Sequence, residues 1–338
     1  MYRCLALAKK GIGTTRPNPS VGAVIVYNNK IIGEGFTSPY GGPHAEVNAI
    51  RSVNDSSLLQ KATIYVTLEP CSHYGKTPPC ADLIVKHKIP KVVIGVIDTN
   101  SLVAGKGVER LKKAGCKVRV GVLEDECREH HKRFFTVQNK KRPYIILKWA
   151  ETKNGYIAPL SKLKQEPVWI SNEYSKQLVH KFRAQEHAIL VGTTTVIADN
   201  PKLSVRTWTG NNPIRIVLDR KLRISKQLNV LDGSTLTIVF TEKSGINREN
   251  LLFEEIDFSK DIATQICEVL SKHNIQSLII EGGRETIQTF ITANLWDEAK
   301  VFIGENEFLN GVKAPVIQKK VTLEEHIKND ILRTYIND

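Results

Sequence analysis

The chain has 338 residues, of which 41% are hydrophobic and 25% charged, and a formal net charge of +13. That length exceeds one ordinary domain and allows two, each with its own core. No run of eighteen or more apolar residues offers a membrane span, and MYRCLALAKKGIGTTRPNPS lacks the apolar stretch and cleavage site of an export signal, so a cytoplasmic protein is expected.

From Tyr2 to Lys10 the pattern predicts a short amphipathic helix ending at Gly11. After RPNPS, the segment VGAVIVYNNKIIGEGF predicts a hairpin turning at Asn28-Asn29. A helix starting near His44 runs to about Ser52, ATIYVTLEP is a buried strand stopped by Pro70, and KVVIGVID is another. VERLKKAG is a helix closed by Gly115 before the strand KVRVGV. LEDECREHHKRFFTVQNKKRP is helical, then charged, and a domain boundary is expected near Lys141. Beyond it come strand YIILKWA, a turn at Asn154-Gly155, helix EYSKQLVHKFRAQE, and strands AILVG, PIRIVLD and LTIVF. Helix KDIATQICEVLSKHN, strand QSLIIEGG and helix RETIQTFITANL follow. Strands alternating with helices predict two α/β layered domains.

The charge is uneven: 22 Lys+Arg against 11 Asp+Glu lie within the first 141 residues, so the excess is N-terminal. A basic half suits an anionic substrate or nucleic acid, or simply a solvated lysine surface. The six cysteines, Cys4, Cys71, Cys80, Cys116, Cys127 and Cys267, follow no repeated spacing, which favours metal binding or burial over a disulfide framework.

Two stretches carry chemistry. GGPHAEVNAI puts His44 and Glu46 two apart at a helix start, and LEPCSHYGKTPPC supplies Cys71 and Cys80 where a strand runs out. One imidazole and two thiolates can hold a tetrahedral zinc with its fourth position open, the mark of a catalytic site. Helix N-termini would help keep the thiolates ionised, water bound there is acidified toward neutrality, and Glu46 is placed to shuttle the proton. His-x-Glu followed by Pro-Cys and a second Cys is the pattern of zinc-dependent base deaminases, although here eight residues separate the cysteines instead of two.

The longer spacing is accounted for by a resemblance. RPNPSVG, GGPHAEV, LEPCSHYGKTPPC and DTNSLVAGKG resemble, in order, the deaminase half of the bifunctional riboflavin biosynthesis deaminase/reductase family, in which the loop between the cysteines helps bind the substrate's ribose phosphate. ILKWAETKNG, WIS, FRAQEHAILVGTTTVIADNPKLSVR, PIRIVLD and IIEGGRETIQTF resemble its reductase half, whereas EGG alone is only a weak hint of a phosphate or cofactor loop. The resemblance implies an α/β protein: a cytidine-deaminase-like α/β/α domain over residues 1–141 and a dihydrofolate-reductase-like α/β domain over residues 142–338. It implies one zinc per chain on His44, Cys71 and Cys80, Glu46 as proton shuttle, and Asn18, His73 and Lys76 at the deaminase substrate. NADPH would meet Ala150, Trp169, Thr195, Asp199 and the segment Gly283, Arg284, Glu285, Thr286, Ile287, Gln288 and Thr289. Lys148, Pro167, Arg183, Leu203, Arg206 and Glu281 would face the reductase substrate, the arginine forks suiting a phosphate.

Departures from the family pattern are Thr37 where histidine is usual, Thr99 and Ser101 where prolines are usual, Asn154 for aspartate and Pro167 for serine. The implied activity is removal of the 2-amino group of 2,5-diamino-6-(ribosylamino)pyrimidinone 5′-phosphate, followed by NADPH-dependent reduction of the ribosyl chain to ribityl. A small phosphorylated pyrimidine is then the partner, with no nucleic acid and no membrane, and a homo-oligomer, dimer or tetramer, is expected. Two rival readings fit parts of the sequence: a nucleic-acid base-editing deaminase, and a zinc-stabilised structural platform beside a working reductase.

Overall fold

The computed structural model describes residues 1–74, 78–99, 104–162 and 164–337. The chain divides into two compact units, Met1–Lys141 and Arg142–Asp338.

In the first unit, helix α1 (Tyr2–Ala8) leads into β1 (Gly22–Tyr27) and β2 (Lys30–Phe36), then α2 (Ala45–Arg51) and β3 (Thr63–Leu68). α3 (Cys80–Lys86), β4 (Lys91–Val96), α4 (Lys106–Lys113), β5 (Lys117–Val120) and α5 (Glu124–Lys140) follow. Asn28 and Asn29 both take positive φ, 47° and 57°, the conformation a two-residue hairpin turn needs and asparagine tolerates. The sheet order is β2-β1-β3-β4-β5, with β1 antiparallel to both neighbours and β3, β4 and β5 parallel.

Helices cover both faces, and small residues set how closely. A Cβ on Gly33 or Gly35 would fall 2.5 Å from backbone atoms of α2, and one on Gly22 would fall 1.9 Å from the Cys4 carbonyl of α1. On Gly95 it would meet the Cys127 sulfur of α5 at 2.3 Å. Gly33 and Gly35 pair with Ile25 and Ala23, whose face of β1 is opposite that of Gly22. The unit is therefore an α/β/α sandwich. GEG in β2 lets α2 lie directly on the strand, and that contact fixes the height at which His44 enters the site.

The second unit contains β6 (Tyr144–Thr152), β7 (Tyr156–Ala158), α6 (Glu173–Gln185), β8 (Ala188–Gly192), α7 (Thr193–Asp199), β9 (Ile214–Leu218), β10 (Thr237–Thr241) and β11 (Leu251–Glu255). It continues with α8 (Ile262–Lys272), β12 (Ser277–Ile280), α9 (Arg284–Thr292), β13 (Glu298–Gly304), β14 (Val312–Lys313), β15 (Leu323–Ile327) and β16 (Asp330–Ile336). The nine-stranded sheet runs β11-β10-β9-β8-β12-β6-β13-β16-β15, parallel as far as β13 and antiparallel at β16 and β15. Central strands such as Ala188–Gly192 and Ser277–Ile280 are nearly continuous apolar runs because both faces are covered.

Asn154 explains one departure at the β6–β7 turn. Its side chain accepts the Thr152 hydroxyl at 2.7 Å and donates to the Phe308 carbonyl at 2.8 Å, a donation an aspartate could not make. Among the described residues, no helix is long and apolar enough to cross a membrane.

Candidate functional site

Among the described residues, the group able to hold a metal ion is His44, Cys71 and Cys80, whose ligand atoms all lie within 4.8 Å of one another. His44 is the N-cap of α2, Cys71 follows the end of β3, and Cys80 opens α3. The His44 Nδ1 is 3.7 Å from the Cys71 sulfur and 3.4 Å from the Cys80 sulfur. Zinc bonds of about 2.3 Å to sulfur and 2.0 Å to nitrogen, at a tetrahedral angle, separate the two donors by about 3.5 Å, so spacing and donor chemistry fit zinc.

The backbone favours thiolate here: the Cys80 N–H, at the start of α3, donates to the Cys71 sulfur at 3.3 Å. The Cys80 thiol, then His44, hold Cys71 well below the usual thiol range, at about 4, while Cys80 beside it is pushed well up. A bound cation would favour both thiolates and release their protons. Glu46, on the first turn of α2, is 4% exposed, and burial, then the Cys71 sulfur, pushes its carboxyl up to about 7.

His44, Glu46 and Cys71 line a cavity of about 350 Å³, together with Asn18, Thr37, His73 and Gln138. Asn18 and His73 thus share a cavity with His44, Cys71 and Glu46; Lys76 and Ser101 lie outside the described residues. Thr37 is 2% exposed and its hydroxyl accepts the Val21 N–H at 3.0 Å, so this side chain is committed to β1. Sequence reasoning missed Gln138 of α5 and Glu69, which comes from the TLEP strand end but turns inward.

In the second unit, β6, β8 and β12 are parallel neighbours, and side chains gather beyond their carboxyl ends, where ligands bind in open α/β sheets. Glu281 is held by Arg183 through a fork of 3.1 and 2.7 Å, with the Lys148 ammonium 3.9 Å away. Burial alone would raise the Glu281 carboxyl, but Arg183 and then Lys148 hold it at about 2. Burial pushes Lys148 down. Arg183 also reaches the Ser204 carbonyl at 3.4 Å, and Arg206 donates its backbone N–H to His180 Nδ1 at 3.2 Å. Lys148, Arg183, Arg206 and Glu281 thus converge.

Beside them, Gly282 packs so closely on β8 that a Cβ would fall 2.5 Å from the Val191 Cα, and Gly283 (φ +63°) caps α9 with its would-be Cβ 3.4 Å from the Thr195 hydroxyl. Thr286 of α9 abuts Gly192 in the same way, and the buried Nε of Arg284 has no hydrogen-bond partner among the described residues. A glycine-lined helix start with an unpaired guanidinium nitrogen suits an anionic cofactor such as NADPH. The remaining cofactor candidates are spread more widely. Ile287 is 1% exposed in the core, Gln288 accepts the Val316 N–H, Thr289 donates to the Glu285 carbonyl, and Glu285 is exposed. Trp169 is 55% exposed with the Lys176 ammonium over its ring, and Asp199 is paired with Lys162. Ala150 lies on β6 opposite Phe302. Leu203, 3% exposed, packs in the core with Val196 and Val230, and Pro167 is half-buried in the segment before α6.

Residues 1–96 match the family model for the cytidine and deoxycytidylate deaminase zinc-binding region, and residues 143–306 match the RibD C-terminal domain. The chain is 41% identical to riboflavin biosynthesis protein RibD of Aquifex aeolicus over 308 residues, covering 90% of this chain and 85% of that protein. It is 36% identical to RibD of Escherichia coli over 323 residues, covering 90% and 86% respectively. Among solved structures it is similar to a diaminohydroxyphosphoribosylaminopyrimidine deaminase/5-amino-6-(5-phosphoribosylamino)uracil reductase from Thermotoga maritima (TM-score 0.92, 36% identity, 100% of this chain and 97% of that one). It is also similar to RibD of Acinetobacter baumannii (TM-score 0.89, 33% identity, the same coverages).

Proposed function

The chain belongs to the RibD family, the bifunctional deaminase and reductase of riboflavin biosynthesis, and from that premise we propose how its residues divide the two reactions. The first unit hydrolytically removes the 2-amino group of 2,5-diamino-6-(ribosylamino)pyrimidinone 5′-phosphate, releasing ammonia. The second unit, dihydrofolate-reductase-like, reduces the ribosyl side chain to ribityl and yields 5-amino-6-(5-phosphoribitylamino)uracil.

His44, Cys71 and Cys80 hold zinc, which when bound supplies the Lewis acidity that makes water nucleophilic near neutral pH. A carboxyl oxygen of Glu46 accepts the proton of the attacking water and delivers it to the departing amino nitrogen, a task suited to a buried carboxyl on the helix turn that carries His44. Asn18 orients the pyrimidine, and His73 and Lys76 serve the sugar phosphate. In the second unit NADPH supplies hydride, and Gly283, Arg284, Thr286 and Thr195 bind and orient it, with Ala150, Trp169 and Asp199 at its periphery. Arg183 and Arg206 take the substrate phosphate, and Lys148 and Glu281 fix the sugar between them. Leu203 and Ile287 act from the core by shaping these walls. We further infer a cytoplasmic homo-oligomer, dimer or tetramer; the six free cysteines and the NADPH requirement support a reducing compartment.

The observation that carries the reading is the His44, Cys71 and Cys80 cluster, of which His44 and Cys71 line one cavity with Glu46. Its test is ammonia release from the diaminopyrimidinone ribosyl phosphate by zinc-replete protein with NADPH omitted, Glu46→Gln being the control. Release that Glu46→Gln lacks supports the assignment. One bound zinc per chain without ammonia, but with NADPH oxidation on the deaminated substrate, would leave a reductase carrying a structural zinc domain.

A further inference from the structure

Glu69 lies just beyond β3, directly before Pro70 and Cys71, and is 4% exposed at the cavity wall. Its Oε2 accepts the backbone N–H of Asp98 at 3.2 Å and of Gly105 at 2.9 Å, and its Oε1 accepts that of Val108 at 3.0 Å. Asp98 follows β4 and lines the same cavity, while Gly105 is the N-cap of α4 and Val108 stands in its first turn. A helix start leaves N–H groups without partners, and glycine at the N-cap has no side chain to satisfy them. The cap is instead delivered across the fold by Glu69.

The approach is close as well as polar. A Cβ on Gly107 would fall 2.2 Å from the Pro70 carbonyl oxygen, so α4 begins pressed against the residue that precedes Cys71. Farther along α4, Arg110 donates to the Ser72 carbonyl at 3.2 Å and to Asp82 of α3 at 2.8 Å. Ser72 follows Cys71, and Asp82 is two residues beyond Cys80. α4 therefore braces both thiol-bearing segments, and its first turn is anchored by one buried carboxylate that also holds a wall of the substrate cavity.

We propose that Glu69 is a positioning residue of the deaminase: it sets Asp98 and the first turn of α4 against the Cys71 segment, and so shapes the wall on which the phosphorylated pyrimidine docks. The inference rests on the deaminase reading of this site. Glu69 meets neither the reacting atoms nor the metal; it acts through the backbone it holds.

Glu69→Gln has nearly the same shape but only one acceptor oxygen, so its amide nitrogen must face at least one of the three N–H donors. The expected result is a deaminase KM raised about tenfold or more, from loss of a buried charged acceptor, with kcat changed less and one zinc per chain retained. Reductase activity of the same chain, unchanged, shows that the protein is folded. Glu69→Asp, which keeps both oxygens, recovers part of the KM. A wild-type KM in Glu69→Gln, or zinc lost in step with kcat, would overturn the proposal. Amide exchange gives an arm independent of turnover: the Gly105 and Val108 amides exchange faster in Glu69→Gln, and unchanged protection also overturns it. If the unaltered protein releases no ammonia, the deaminase reading fails, while the exchange result still decides whether Glu69 holds α4.

Discussion

Replacing Arg183 with methionine removes a guanidinium that is 12% exposed and leaves the 9% exposed Glu281 carboxylate with the Lys148 ammonium, 3.9 Å away, as its remaining ion-pair partner among the described residues. Burial opposes this carboxylate, yet Arg183, and after it Lys148, bring it from 4.5 to about 2. At about 1.4 kcal/mol per pH unit that displacement is worth about 3 kcal/mol, in line with the cost of breaking a buried ion pair on one side. The sign follows from linkage. The folded-state value lies below the unfolded one, so the stabilisation is complete above about pH 4.5 and disappears as pH falls toward 2. Denaturant unfolding of Arg183→Met, followed by a probe in the second unit, is expected to show a loss of about 3 kcal/mol at neutral pH that narrows below about pH 4.5. The double variant Arg183→Met, Glu281→Gln should recover part of the loss, because no charge is then left buried without its partner. A loss below about 1 kcal/mol at neutral pH, typical of exposed pairs, or one of unchanged size in acid, would refute the electrostatic account.

Cys71→Ser should abolish zinc binding and ammonia release while NADPH oxidation on the deaminated substrate persists; metal analysis and the two assays check it. His131 is fully buried, with its Nε2 3.1 Å from the Thr67 hydroxyl, and burial holds its pKa well below 6.5. The first unit should therefore be most stable above about pH 6.5 and weaken as pH falls below it. Thermal unfolding should show that slope flattened in His131→Gln, and an unaltered slope would count against it. Thr37→Val leaves the buried Val21 N–H without its side-chain acceptor and should cost about 1–3 kcal/mol in denaturant unfolding, whereas Thr37→Ser should cost much less.

The metal group was legible because its chemistry is carried by short motifs: HAE places an imidazole and a carboxylate on one helix turn, and PC with a second cysteine marks a strand end and a helix start. The cytidine-deaminase-like and reductase folds followed from ordered motifs along both halves. Thr37 shows the limit of that reasoning. The motif identified an altered position, but only the pairing of β1 with β2 shows its hydroxyl bonded to Val21. Asn154 is similar, since its partner Phe308 lies 154 residues away.

The strands after Leu295, together with β7 and β11, carried no assignment from the sequence. β15, LEEHI, is almost wholly exposed and has no apolar alternation to detect. Helix α9 divides by its periodicity once packed, with Ile287 turned to the core and Thr286 to Gly192, so a contiguous run of cofactor candidates is split between the core, β8 and the surface. Residue types and short-range spacing pointed to a zinc-type cluster in the first half, because ligand identity and helix or strand period are local properties, whereas the second half was read through its resemblance to the family's reductase and not from spacing. The tertiary structure alone decided which groups share a cavity, that Glu281 is enclosed by Arg183 and Lys148, and that Glu69 caps a helix starting 37 residues later, at Lys106. Those contacts join residues far apart in the chain, and burial and charge pairing exist only once the chain has closed around them.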